Sequence, residues 1–436
     1  MNLKRTLTLI LTAGIISGAN AQTDTAANQG KLVLTLDSAK TYAVQHSKTM
    51  KTADLNIQKA EWAKWQSISN MLLNVDATLS YTTMFGYEAH PEMNGQKITI
   101  SVNDVGNLGI TATAAVNGQL IVGVQLSKMA IEMQKLAQTG SENDVKAAAT
   151  TSYLSVLIAQ ESKKTIEDSR ANLEKSYNNV VQLTKVGMAE QTDADQLKVQ
   201  LMVLDNNLRA ADRNIQLAKS ALITALGAPP ATDVELTESL DYFFENEQIT
   251  EPSGSVETSI TMKQLDMSID IAKKQWTLSR WAYGPTLSLS YNYSGKTYFG
   301  KDEGFNMSPP HTMTLALQVP IFSSGNRYAA CKQKKIDVDI AQTQRDQTLE
   351  QLQVQEIQLK YNLSNAIETY NSSKESLELY QKIFKNSLQK FNVGTISSND
   401  LITVNNNLLN AQSTYIQSLY SVMNAQTELL KLYNNL

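Results

Sequence analysis

Hydrophobic and polar positions follow two periods along this chain. In two runs, apolar or small residues alternate at spacings of four and three. The first is Leu197, Leu201, Leu204, Leu208, Ala211, Ile215, Ala218, Leu222 and Ala225. The second is Val404, Leu408, Ala411, Tyr415, Ser418, Val422, Ala425, Leu429 and Leu432. Each position of the second is the first displaced by 207, the separation of Gly187 and Gly394. Sustained 4-3 spacing is a coiled-coil seam. Two seams in phase at one offset predict an internal duplication.

A long helical stretch precedes each glycine. Arg327 to Phe391 holds no Gly or Pro, which at 1.5 Å per residue predicts a helix approaching ~100 Å. Its counterpart runs from about Ser127 to Lys185, with Gly140 expected to weaken or kink it. Val186-Gly187 and Val393-Gly394 make the turns, with Gly in the left-handed conformation after the helix end. Asp193, and Asn399 or Asp400, are candidate caps of the returning helices. Shorter helical runs cover about Leu36–Met71 and Ser255–Trp281, with Trp65 and Trp276 expected to pack on neighbouring helices.

Period two replaces the helical period in four places. Val75, Ala77, Leu79, Tyr81, Thr83 and Phe85 alternate with Asn74, Asp76, Thr78, Ser80 and Thr82. Leu108, Ile110, Ala112, Ala114 and Val116 alternate with Thr111, Thr113 and Asn117. The second half repeats the pair: Leu287, Leu289, Tyr291 and Tyr293, then Met313, Leu315, Leu317, Val319 and Ile321, each set opposite hydroxyl or amide residues. Such strands, ~9–11 residues long, cross a bilayer when tilted. Tyr81, Phe85, Tyr87, Tyr291 and Tyr293 suit an interfacial girdle, and the opposite face suits a wet lumen. Open sheet edges cannot face lipid, so four strands require oligomerisation. A dimer gives eight strands, whose interior side chains fill; a trimer gives twelve and leaves room for a channel.

The N-terminus adds a destination. Lys4 and Arg5 precede the short apolar stretch Leu7–Ile16, and Ala19-Asn20-Ala21 predicts cleavage before Gln22. The chain is expected to be exported. No Cys follows the apolar stretch, which argues against a lipid anchor, and the lone Cys331 reads as an unpaired helix residue.

Composition narrows the rest. Among 436 residues, Gly (19) and Pro (8) fall well below usual levels, as long helices require. Lys+Arg (38) and Asp+Glu (42) nearly balance at −4, which argues against a nucleic-acid partner. A mean hydropathy of −0.27 argues against a bundle of membrane-spanning helices. His46, His90 and His311 share no metal-ligand spacing, and no nucleophile elbow or phosphate loop is present. No catalytic residue, metal or cofactor is assigned.

Taken together, the residues resemble the TolC-type outer membrane efflux proteins. The marks are the duplicated halves, Pro285-Thr-Leu-Ser-Leu-Ser entering a strand, Val319-Pro320-Ile321-Phe322 leaving one, and Val393-Gly394-Thr395 with Asp400 at a hairpin tip. The implied fold is mainly α with a small β part: duplicated αββα halves, long coiled-coil hairpins and four strands per chain. A homotrimer would form a twelve-stranded barrel in the outer membrane and an α-helical tunnel in the periplasm. The expected organisation is a signal peptide (1–21), a first repeat (22–230, strands about 74–87 and 108–119, hairpin about 127–227), an inter-repeat linker (231–254) and a second repeat (255–436, strands about 285–293 and 311–321, hairpin about 327–434). Phe243 and Phe244 are expected to anchor a small packed linker.

The resemblance also implies partners and site residues. The partners are outer membrane lipid, a periplasmic adaptor docking at Val186, Gly187, Val393, Gly394 and Thr395, and an inner-membrane pump or ABC exporter. Asp400 matches an acidic ring of the periplasmic aperture. Thr403 replaces a second Asp, Phe391 a Tyr and Ile396 an Arg, so a charged latch is absent from these positions. Pro285, Pro320 and Gly118 mark barrel-to-helix transitions. Both prolines fall in the second half, with Val75 and Gly118 at the matching sites of the first, so the first half is expected to make its transition less sharply. The alternative is a periplasmic coiled-coil adaptor or structural protein without a pore.

Overall fold

The structure is a computed structural model that describes residues 32–93, 95–97, 99–240, 252–299 and 309–436. The signal peptide and the anchors Phe243 and Phe244 lie outside the described residues.

Seven α-helices carry most of the described chain: α1 (Leu36–His46), α2 (Lys48–Ser69), α3 (Gly118–Lys185), α4 (Gln191–Leu226), α5 (Ile260–Arg280), α6 (Asn326–Asn392) and α7 (Ser398–Tyr433). The longer strands are β1 (Leu32–Leu34), β2 (Asn74–Thr82), β3 (Asp104–Asn117), β4 (Val234–Leu236), β5 (Thr286–Phe299) and β6 (His311–Gln318). Both repeats therefore read helix, two strands, long helix, returning helix. α4 and α7 correspond end to end at the offset of 207, whereas α2 and α5 start 212 apart, at Lys48 and Ile260. The five-residue difference falls in the connection between the paired strands.

None of the seam positions predicted along α4 and α7 is exposed, and Leu197, Leu222, Val422 and Leu429 are fully buried. The seam is why these helices pair: α4 folds back on α3, and α7 on α6. α3 begins earlier than expected, directly after β3, and passes through Gly140 as one helix. Gly140 does not break the helix, and Ile260 of α5 lies beside that glycine. The run Leu36–Met71 is divided at Ser47, which leaves helical geometry and caps α2 by accepting from Thr49 N at 3.1 Å. Trp65 is more than half exposed, while Trp276 is half-buried beneath Arg280, 5.6 Å from its ring.

Near the middle of the long helices, α1 and the parallel pair β1–β4 cover α3 and α4. The linker thus supplies a strand to the first repeat. Glu238 Oε2 accepts from Leu36 N (2.8 Å), at the start of α1, and from Tyr153 Oη (2.9 Å). Tyr153 is fully buried, and that burial, with the carboxylate beside it, pushes its phenol far above the usual range. A neutral phenol donating to a carboxylate satisfies both groups where water is excluded.

The four long strands form one antiparallel sheet in the order β6-β5-β3-β2. Its register brings like faces together. Leu79 pairs with Leu108, Ala112 with Tyr291, and Leu289 with Leu315 on one side. On the other, Asp76 pairs with Thr111, Thr113 with Ser290, and Ser290 with Thr314. The apolar side is bare in one chain, with Leu79 84% and Met313 72% exposed. Strand bounds shift from those expected. β2 stops at Thr82 because Phe85 and Gly86 turn through positive φ. β3 and β5 run further because they pair along their whole length, from Asp104 opposite Phe299 to Asn117 opposite Thr286. β6 ends before Pro320, which has no N–H to donate to a ladder.

Candidate functional site at the hairpin tips

The two tips are built alike. After α3, Val186 leaves helical geometry and Gly187 takes φ +74°; after α6, Val393 and Gly394 (φ +76°) do the same. Met188 N donates to Leu183 O (2.9 Å) and Gly187 N to Thr184 O (3.0 Å). Thr395 N donates to Lys390 O and Gly394 N to Phe391 O, both at 2.9 Å. This double closure satisfies two carbonyls at each helix end and needs a left-handed residue, which only glycine supplies without strain. Val186, Met188 and Val393 are left mostly exposed beside it.

The returning helices start differently. α7 is capped by Ser397, whose Oγ accepts from Asp400 N (3.1 Å), while Asp400 Oδ2 accepts from Ser397 N (3.1 Å) and Ser397 Oγ (2.7 Å). Asp400 is thus the third residue of a capping box and not the cap itself; Asn399 is not the cap either. The bonds from Ser397 hold the Asp400 carboxyl below the usual carboxylate range, so it is anionic and exposed at neutral pH. Asp193 holds the corresponding place in the first repeat but does not cap. Glu190 precedes α4 with no side-chain bond, and Asp193 instead accepts from Ser398 of the other hairpin. Ser398 Oγ also lies 3.2 Å from Gln196 Oε1.

Behind the turns, one apolar cluster joins both hairpins through Leu173, Val180, Leu197, Leu204, Phe384, Phe391, Leu401 and Leu408. Phe391 belongs to this core, so in this fold it is not free to face an aperture. Ile396 packs against the cluster half-buried, and Thr403 is exposed with its hydroxyl turned to Asn399 O at 2.9 Å. Asp400 and Thr403 thus share an accessible stretch with Thr395, while Phe391 and Ile396 support it from inside.

Sequence reasoning missed the polar joints between the hairpins. Asn405 is fully buried, accepts from Ser169 Oγ at 2.8 Å, and has an Nδ2 with no partner. Gln200 Nε2 donates to Asn406 Oδ1 at 2.8 Å. The signal was the run Asn405-Asn406-Asn407, which interrupts an otherwise apolar face between Leu401 and Leu408.

At the other end, Pro285 stands immediately before β5, and Pro320 lies in the seven-residue link 319–325 between β6 and α6. Pro320 O accepts from Arg327 Nη1 at 2.9 Å, and the same guanidinium lies 5.3 Å from the Tyr283 ring, tying both ends of the second strand pair. The first repeat has no such link: Asn117 ends β3 and caps α3 by accepting from Leu120 N at 2.8 Å. Gly118 is there for closeness: a Cβ would fall 2.1 Å from Trp281.

Comparison with known proteins agrees with this architecture. Residues 254–435 match the family model described as outer membrane efflux protein. No curated protein matches the chain in sequence. Among solved structures, CusC, described in terms of transmembrane channel formation, has a TM-score of 0.72 at 14% identity over 91% of each chain. The open state of the outer membrane channel MtrE from Neisseria gonorrhoeae gives 0.71 at 13% identity, over 92% of this chain and 88% of that one. The outer membrane protein VceC from Vibrio cholerae gives 0.68 at 16% identity, over 92% and 96%. The second repeat therefore resembles the outer membrane efflux protein family, and the chain as a whole has the fold of these outer membrane channels.

Proposed function

We propose that three copies of this chain close into a passive exit duct of a tripartite efflux or type I secretion system. The barrel lies in the outer membrane and the hairpins in the periplasm. The observation that carries this reading is the two-faced sheet with two unpaired edges, β2 and β6, continuous with the long hairpins. Strand direction alternates across the sheet, so β6 meeting β2 of the next copy is again antiparallel. Twelve strands leave no edge facing lipid and a lumen lined by the hydroxyl face. Cargo enters at the tips from an adaptor and an inner-membrane pump or ABC exporter, which supply the energy. Exposed Val186, Met188 and Val393 offer the adaptor an apolar contact. Three Asp400 carboxylates around a narrow axis favour cations.

The test is single-channel recording of the detergent-extracted protein in a planar bilayer, with divalent cations added from each side. One-sided block that weakens in Asp400→Ala supports both the duct and the acidic ring. Unblocked steps keep the duct and remove the ring. A water-soluble protein that conducts nothing overturns the duct.

A further inference from the structure

We infer that the helical tunnel is electrically neutral along most of its length, so that discrimination by charge is confined to its tip. This rests on the duct reading and adds which helix face lines it. On α6 the positions from Thr348 to Ser376 that recur in 3-4 spacing, through Gln355, Asn362 and Thr369, are all Gln, Asn, Thr or Ser. On α7 the same holds from Thr403 to Asn424, through Asn410, Gln417 and Ser421. These side chains line open grooves along the second hairpin, in which Glu428, one turn beyond the end of the α7 stripe, is the one charged lining residue. The first hairpin has the matching groove, lined by Ser155, Ser162, Asn207 and Asn214 among apolar neighbours and without a charge.

The fold tells inside from outside. On α3, Tyr153 is covered by the module of α1, β1 and β4. Ser155 lies two residues away, about 200° around the helix, and so on the opposite face. Three copies of that module inside the ring would plug the duct, so the module is outside and the groove faces the lumen. Lys219 pairs with Asp233, beside β4 on the module side, and the pairs Lys163–Asp212 and Arg170–Asp205 join α3 to α4 outside the groove lining. Charge has been kept off the inner face while remaining plentiful elsewhere. A wall of amides and hydroxyls offers hydrogen bonds to cargo of either sign and sets up no field against it.

The experiment measures cation-to-anion permeability ratios from reversal potentials across a KCl gradient, with the full-length protein in planar bilayers. Asp400→Asn is expected to bring the ratio close to one. In that background Asn365→Asp is expected to raise cation preference several-fold, and Asn365→Lys to reverse it. Lys374→Glu, on the face corresponding to Tyr153, is expected to change nothing. Conducting channels in which neither Asn365 variant moves the ratio, or in which Lys374→Glu does, overturn the assignment of faces and leave the duct standing. Marked selectivity persisting in Asp400→Asn overturns the neutral wall. Absence of conductance in every variant overturns the duct and this inference with it.

Discussion

The two hairpins share one backbone plan and hold it together with different chemistry. In the first, Lys163 meets Asp212 at 2.8 Å and Arg170 meets Asp205 at 2.6 Å. The two rungs are seven residues apart on each helix, so they mark one antiparallel register. Displaced by 207, the same rungs in the second hairpin are Tyr370 with Leu419 and Leu377 with Gln412. Tyr370 and Leu419 are buried, and Tyr370 lies 5.7 Å ring to ring from Tyr415. The register survives this exchange of ion pairs for the buried Tyr370–Leu419 rung and for Leu377 beside the amide of Gln412, whose buried Oε1 has no partner, because it is set by the seam, where both hairpins are apolar. Rungs at the seam's margin are free to diverge. The ionic set stays partly solvated, where pairs contribute little; the apolar set removes surface from water and contributes more.

Substitutions at the two kinds of rung separate these contributions. The largest effect is expected at the apolar rung: Leu419→Ala should cost about 2–5 kcal/mol, read as a lowered Tm of the helical signal. Its ionic counterpart Asp212→Ala should leave Tm almost unchanged, and equal losses would refute the distinction. Next come the turns common to both hairpins. Gly187→Ala and Gly394→Ala each force an L-residue into a left-handed conformation and should cost about 1–2 kcal/mol, with similar values confirming that the tips are equivalent. Ser398→Ala, which removes the bond to Asp193 across the tips, should cost about 1 kcal/mol. Amide exchange near Ser397 and Ser398 would locate that loss.

The smallest effects are those of pH and salt. The Asp400 carboxyl is lowered in the folded chain, so its stabilisation is present above the unfolded carboxylate pKa. It is lost as pH falls through the lower folded value. Amide exchange at the start of α7 should therefore quicken only in acid, and the start of α4, which lacks a capping box, should show no matching change. Raising ionic strength should weaken only the first hairpin's rungs. A salt effect confined to the second would contradict the assignment.

How far the chain could be read in advance varied with the range of the forces involved. The seams at Leu197 and Leu408, the glycine turns and the alternation at Val75–Tyr81 are local, and each appears where periodicity put it. The caps were legible in kind but not in identity. Asp193 and Asp400 occupy equivalent places and look alike in sequence. One turns back to Ser397 and the other reaches to Ser398, because Glu190 stands where the second repeat has Ser397. Trp65 reads as a packing residue and is more than half exposed in one chain, since an aromatic at helical spacing does not say which neighbour covers it.

Local residue order is enough to specify the period of each segment, the duplication, the turn at each glycine and the two chemical faces of every strand. These depend on backbone geometry and on side chains three, four or two positions apart. The order β6-β5-β3-β2, the burial of Phe391, the bond from Tyr153 to Glu238 and the joint between Ser169 and Asn405 emerge from long-range packing. Each joins residues 85 or more positions apart or depends on a core assembled from both repeats. Periodicity states that a face must be covered; which distant segment covers it is settled by how the whole chain packs.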